Sequence, residues 1–338
     1  MKVSEIRDIT KKLDKSVIVE LLVKTYRHVP KEKKEELDQM ILSGNPKVTT
    51  KKSEEIKTAE DFNDIKAPIE FFIENAYEGN YLKPNRIINK SRRSKWRFEA
   101  KKAYKCLTDI SENDINYTDA GKLLQSLYDV LSYGCGCWIF ASDDTFRAMG
   151  VLQTDFFRVV CEKRLRTGVN KDIIGALISS IMKGFTDRET LNIELYAVLA
   201  SVLKTSDAKY LALEAASEKI TSIKKDIALE EERQKGKRFK SYGIKWYKET
   251  ENINDLCEFV EILSLYLGDK EEGSDFFWKN QTEDDKEIAL FRLLNIIALF
   301  SGDFPEWCRV YEDAVERLKI SPRESIREIY QNKSFRKD

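Results

Sequence analysis

The sequence predicts an all-α protein, a multi-helix array of stacked helical hairpins without a β-sheet. The 338 residues include only 14 glycines and six prolines, whereas an all-β chain needs a turn about every eight to twelve residues. Apolar side chains recur at helical spacing, and no segment sustains a two-residue alternation. Helix-capping residues precede most of these apolar runs. No fixed repeat period is found, so an irregular solenoid-like stack and a compact bundle both stay open.

Residues 1–43 are predicted to form a small N-terminal helical unit. Ser16 is placed to cap a helix through Tyr26, and Pro30 is placed to begin another. Residues 44–57 are polar and lack periodicity, which is typical of an exposed linker. The remaining residues, 58–338, are predicted to form the main helical domain, with candidate subdivisions near 150 and at 236–250.

Each helix of the main domain is predicted from a cap and an apolar stripe. Thr58 opens the first helix, Pro68 restarts it and Gly79 ends it. The nearly apolar segment Leu191–Leu203 predicts a central helix. The longest helix is expected from Ser206 through Gln234, with a polar second half that projects past the core, followed by a break at 236–243. The other predicted starts are Thr118, Ser142, Thr154, Asn170, Thr186, Asn254, Thr282, Pro305 and Ser321.

Composition limits the cellular context and the mode of binding. The 58 basic and 58 acidic residues cancel, which does not favour steering of the whole chain toward nucleic acid. Six cysteines without paired CxxC units indicate reduced thiols. The N-terminus lacks a hydrophobic signal region, and no apolar run is long enough to span a bilayer. We therefore expect a cytoplasmic protein without membrane contact.

The stretch Tyr81–Lys105 departs furthest from average composition. It holds ten Lys or Arg and one acidic residue, Glu99. A helix through this stretch would turn Trp96, Ala100, Ala103, Tyr104 and Leu107 toward a core. If that helix is unbroken, a basic ridge within 83–105, roughly 20 Å long, follows its other face. Its candidate nucleic-acid-binding residues are Lys90, Arg93, Arg97, Lys101 and Lys105.

Two interpretations of this ridge stay open. It could contact successive phosphates, with Tyr81, Trp96 or Phe98 available for base stacking. Alternatively, it is a solvated face, or it pairs with the acidic residues of 251–338. That segment contains 20 acidic and 12 basic residues. The composition of a second basic run, Arg233–Lys248, favours neither interpretation. That run adds Lys237, Arg238 and Lys240 as candidates for nucleic-acid binding.

Most catalytic and metal-binding chemistries lack their residues in this chain. His28 is the single histidine, so histidine-rich metal sites are excluded, and a His-dependent nucleophile is not favoured. Cys135 and Cys137 offer two sulfurs where zinc needs four ligands. Phosphate-binding glycine loops are missing, and the segment 109–120 lacks the glycine and glutamate that a calcium loop requires. No cofactor or metal site is therefore predicted.

These observations lead to two main hypotheses. The first is a non-enzymatic helical interaction or adaptor protein that binds a protein partner through its surface. The alternative is an accessory protein that binds RNA or single-stranded DNA through the two basic regions. The sequence gives no reason to propose an enzyme, although chemistry that uses only Asp, Glu, Lys and Tyr stays open. It does not specify the oligomeric state.

Overall fold

The structure, a computed structural model, describes residues 10, 13–27, 29, 59–235, 237 and 243–332. The chain divides into two units, Met1–Thr58 and Ala59–Asp338. The first unit contributes one described helix, α1 (Lys15–Arg27), close to the predicted one. The helix predicted after Pro30, the linker 44–57 and the cap at Thr58 lie outside the described residues. The predicted domain division therefore stays a prediction.

The second unit is built from fourteen described helices, and no strand occurs among the described residues. The predicted all-α array is confirmed. The helices are α2 (Ala59–Tyr77), α3 (Lys90–Arg93), α4 (Trp96–Thr108), α5 (Tyr117–Gly136), α6 (Thr145–Met149), α7 (Gln153–Arg166), α8 (Lys171–Lys183), α9 (Asn192–Val202), α10 (Ser206–Gln234), α11 (Ile244–Leu267), α12 (Lys270–Asn280), α13 (Lys286–Phe300), α14 (Phe304–Glu316) and α15 (Glu324–Asn332).

Successive helices pack as neighbours around one contiguous hydrophobic core that extends from Phe62 to Ile326. Helix α5 packs against α7, α7 against α9, α9 against α11, and α11 against α13, which in turn packs against α14. Beside this row, α10 packs against α8 and α11, while α2 and α4 cover α5. Helix α9 is central, as predicted, because Leu195, Tyr196 and Val198, which point in different directions around the helix axis, are all buried. Within the described part of the chain, no helix combines the length and apolar content that crossing a membrane requires.

Several predicted helix boundaries are confirmed. Asn170 caps α8, since its side chain accepts a hydrogen bond from the backbone N–H of Ile173 at 2.9 Å. Helix α10 covers the predicted range, although the side chain of Thr205 provides its cap. Pro305 lies in the first turn of α14, where a missing N–H costs no helical hydrogen bond.

Other predicted boundaries are wrong, and each has a local cause. Helix α2 runs through Pro68 without restarting. The predicted capping box at Thr186 is not helical, because the N–H of Asp187 donates to the side chain of Gln153 instead. Asn254 lies inside α11, where its side chain accepts hydrogen bonds from the backbone and hydroxyl of Thr282.

Candidate nucleic-acid interface

The basic stretch folds as a loop followed by two helices. Residues 82–89 form the loop, and the side chain of Asn89 caps α3 by accepting a hydrogen bond from the N–H of Arg92. Ser94 and Lys95 then form a turn before α4 begins. The prediction of one unbroken helix, on which the basic ridge depended, is therefore wrong. Lys90 and Arg93 lie on α3, whereas Arg97, Lys101 and Lys105 lie on α4.

The predicted apolar face of α4 is confirmed. Trp96, Ala100, Ala103 and Leu107 are buried, and Tyr104 is half-buried against the core. The Trp96 ring stacks on Phe140, with their centroids 4.1 Å apart. This packing fixes the rotation of α4 about its axis and thereby determines which side chains face solvent.

The basic side chains on α3 and α4 face solvent with little neutralisation. Lys90, Arg97, Lys101 and Lys105 are exposed. Arg93 is half-buried, and its Nη1 donates to the carbonyl of Lys83 at 2.7 Å. Nine of the ten basic residues in the stretch form no ion pair with another described residue. The exception is Arg92, which makes a hydrogen-bonded ion pair within the stretch.

That ion pair uses the only acidic side chain of the stretch. Arg92 donates from Nε to Glu99 Oε1 at 2.8 Å and from Nη2 to Oε2 at 3.2 Å. The hydroxyl of Tyr81 donates to Glu99 Oε2 at 2.9 Å. Burial and this hydrogen bond to a carboxylate raise the pKa of Tyr81. Glu99 thus connects Tyr81 and α3 to α4 and offsets one positive charge.

The acidic C-terminal helices form their ion pairs locally. Glu287 pairs with Arg323, and Arg317 pairs with Asp313 at 2.8 Å. Helix α4 packs instead against α2, α5 and α6. No ion pair joins residues 251–332 to the basic stretch. Pairing between these two regions, one of the alternatives from the sequence, is therefore not observed in the described chain.

Only one of the three candidate stacking residues is accessible. Tyr81 and Trp96 are buried in the core, so neither ring can receive a base. Phe98 is 58% exposed, and the guanidinium carbon of Arg97 lies 4.9 Å from the centroid of its ring. Base stacking on this surface is thus limited to Phe98.

An open cleft of about 370 Å³ lies beside this surface. Its floor is apolar and comes from both α2 and α4, where Ile69, Phe72 and Ala103 are buried. Ile65 and Pro68 add to the α2 wall. Ionisable side chains from three helices surround it, namely Asp64, Arg92, Glu99, Lys102 and Cys106. Local sequence patterns do not predict this cleft, because side chains from three separate helices form it together.

The second basic run is partly committed to structural contacts. Arg233 pairs with Glu230, and Lys235 pairs with Glu232. The ammonium of Lys248 donates to the carbonyls of Lys183 and Gly184 at the end of α8, at 3.1 and 3.0 Å. Burial lowers the pKa of Lys248.

Three candidate residues belonged to this second run. Lys237 is exposed, whereas Arg238 and Lys240 lie outside the described residues. The predicted role of all three in nucleic-acid binding stays a prediction.

The sequence also did not reveal a buried group of carboxylates on α11. Asp255 and Glu258 are nearly buried, and Arg292 pairs with both of them and with Glu251. Burial raises the pKa of Asp255 to about 7. Glu261, three residues further along, is fully buried, and neither of its oxygens has a hydrogen-bond partner in the described structure. The sequence does contain a pattern that could have indicated this group, since four acidic residues follow one another on α11 at spacings of four, three and three.

The cysteine pair forms no site with the described residues around it. Cys135 Sγ lies 3.3 Å from Thr145 Oγ1, and burial raises the pKa of its thiol. No group of three or more His, Cys, Asp or Glu side chains that could hold a metal ion occurs among the described residues. His28 is not among those residues.

Comparison with known proteins identifies no relative. No protein-family model matches the chain, and no curated protein or solved structure shows significant similarity to it.

Proposed function

We propose that this protein binds nucleic acid through the basic surface of α3 and α4, contacting the phosphate backbone. The observation that carries this proposal is the group of nine basic residues in this stretch, six of them on α3 and α4, that form no ion pair in the described chain. A helix selected only for solubility usually spaces acids and bases four apart, which lets them pair. Here the one acid, Glu99, is turned toward Arg92 and Tyr81. Exposed cations without neutralising acids can contact the phosphates of a nucleic-acid backbone.

A salt-titrated binding measurement tests this proposal. Fluorescence anisotropy of a labelled single-stranded oligonucleotide gives the affinity of the full chain between about 50 and 200 mM salt, where phosphate contacts weaken steeply. The test variant replaces four exposed cations by glutamine: Lys90, Arg97, Lys101 and Lys105. If each contacts one phosphate, the slope of log affinity against log salt becomes shallower by about 3.

A matched control separates local contact from overall charge. It neutralises four exposed lysines on other helices: Lys122, Lys225, Lys279 and Lys286. This control is expected to keep the wild-type slope. Absence of binding at about 50 mM salt would overturn the proposal, because the counterion contribution is greatest at low salt. Equal weakening by the two variants would also overturn it, since only long-range charge would then be involved.

A protein partner is the second candidate function, and the outer face of α13 favours it. Ile288, Phe291 and Leu299 are exposed there, with Leu299 at 74%. Their spacing places them along one side of the helix. Exposed apolar side chains that share a face are typical of protein contact sites.

Site-specific crosslinking tests this second candidate. A photo-crosslinking residue at position 299 is expected to give a defined adduct in cells, whereas the same residue at exposed Lys225 on α10 is not. Identical adduct patterns from both positions would contradict a specific contact through α13.

A further inference from the structure

The cleft between α2 and α4 combines an apolar floor with unpaired polar groups at its edge. Asp64 and Lys102 are exposed, and neither forms an ion pair with a described residue. Pro68 lines the same cleft and has no N–H to donate to the carbonyl of Asp64 four residues earlier. The edge therefore offers acceptors on the α2 side and an ammonium donor on the α4 side.

This combination of an apolar floor and a polar edge is complementary to the surface of a nucleobase. A base has an apolar face, and its edge carries both hydrogen-bond donors and acceptors. A purely aliphatic side chain would cover the floor but would form no hydrogen bond with Asp64 or Lys102. The volume of about 370 Å³ lies near the lower end of the range for small-molecule sites.

The cleft also continues into the basic surface around the circumference of α4. Each residue advances the helix by about 100°. Passing away from the cleft, the side chains follow in the order Cys106, Lys102, Phe98, Lys105 and Lys101. The exposed ring of Phe98 thus lies between the edge of the cleft and the unpaired cations.

We propose that this cleft receives an unpaired base of a single-stranded nucleic acid whose neighbouring phosphates contact the basic surface. This inference rests on the proposed function and adds the substrate class. The bases of a duplex are paired and stacked, so only a single strand can place one in the cleft without unpairing it. A nearby base stacks on Phe98, where the guanidinium of Arg97 already covers part of the ring.

Three probes of equal length test the inference: a single-stranded oligonucleotide, an abasic deoxyribose-phosphate strand and a duplex. The full chain is expected to bind the single strand more tightly than the abasic strand, by about tenfold for the base in the cleft and by a further factor for the base stacked on Phe98. The variant Cys106→Trp places a large side chain at the half-buried edge of the cleft. It is expected to remove the tenfold contribution of the cleft, to retain the contribution of the base stacked on Phe98, and to leave the abasic affinity unchanged.

A second measurement uses the thiol of the wild-type protein, so its result does not depend on whether a variant folds. The alkylation rate of Cys106, resolved by mass spectrometry, is expected to fall when the single strand is bound but not when the abasic strand is bound. Cys137, also half-buried, is the internal reference and is expected to react at an unchanged rate.

The outcomes distinguish the cleft from the basic surface. Equal affinity for the single strand and the abasic strand, or unprotected Cys106, would overturn the cleft inference and leave phosphate binding intact. A cleft that serves the apolar side chain of a protein partner would give this same result. If none of the three probes binds, the proposed function fails and the cleft inference fails with it.

Discussion

Replacing Glu261 by glutamine is expected to stabilise the protein at neutral pH. Glu261 lies on α11 with both oxygens buried and without a hydrogen-bond partner in the described structure. Burial first, and then the charge of Glu306, raises the pKa of this carboxyl from 4.5 to about 8, against the opposing effect of Arg309. Folding therefore favours the protonated form.

The sign and size of the effect follow from proton linkage. Between pH 4.5 and about pH 8 the folded state holds a proton that the unfolded state has lost. The free energy of unfolding then decreases with rising pH and levels off above pH 8. At about 1.4 kcal/mol for each pH unit, the penalty at pH 7 is about 3 kcal/mol. Glutamine does not titrate, so the variant Glu261→Gln avoids this penalty.

Urea unfolding at pH 5, 6, 7 and 8 measures the effect. The quantity compared is the difference in unfolding free energy between variant and wild type, because Asp255 and Asp129 also have raised pKa values and titrate in both proteins. The difference is expected to be small at pH 5 and to grow to about 3 kcal/mol at pH 7. Glu272→Gln, at an exposed position on α12, is the control and should show no such trend. A difference that does not vary with pH would refute the reasoning.

Three further predictions concern packing and charge in the core. Replacing Arg292 by Met should lower the free energy of unfolding by about 3–5 kcal/mol at pH 8. The loss should be smaller at pH 5, because Asp255 and its neighbours can take up protons there, and urea unfolding at both pH values measures the difference. Replacing Gly273 by Ala should lower the melting temperature despite the better helix propensity of alanine, since its Cβ would lie 2.5 Å from a side-chain carbon of α11; an unchanged or higher value in a thermal scan would contradict this. Replacing Trp96 by Ala should cost about 3–5 kcal/mol in chemical unfolding because the stack on Phe140 is lost, and a loss below 1 kcal/mol would show that the site collapses.

Periodicity predicted the core faces well because an apolar stripe on a helix is a local property. The buried residues Trp96, Ala100, Ala103 and Leu107 on α4 lie where their spacing placed them. A cap at Asn170 was likewise predictable, since it needs only the residues that follow it.

The errors came from contacts between distant segments. Asparagine is a common helix-capping residue, yet Asn254 lies inside α11. Its hydrogen-bond partner, Thr282, belongs to a segment 28 residues away. The cleft was not predictable for the same reason, since α2, α3 and α4 all contribute side chains to it. In the basic stretch, composition indicated the charges but not that Glu99 would bind Arg92. Only the fold showed which cations are left without a partner.

If the basic surface binds nucleic acid as proposed, the position of Tyr81 affects the kinetics of that binding. Tyr81 packs against Phe72 and Phe140, so the loop before α3 is tied to the same aromatic cluster that holds α4. The backbone of the basic surface is therefore ordered when the chain folds, before any ligand arrives. A preorganised site loses little conformational entropy on association. Encounter would then be governed by diffusion and by attraction between charges, and variation in affinity would arise chiefly in the dissociation rate.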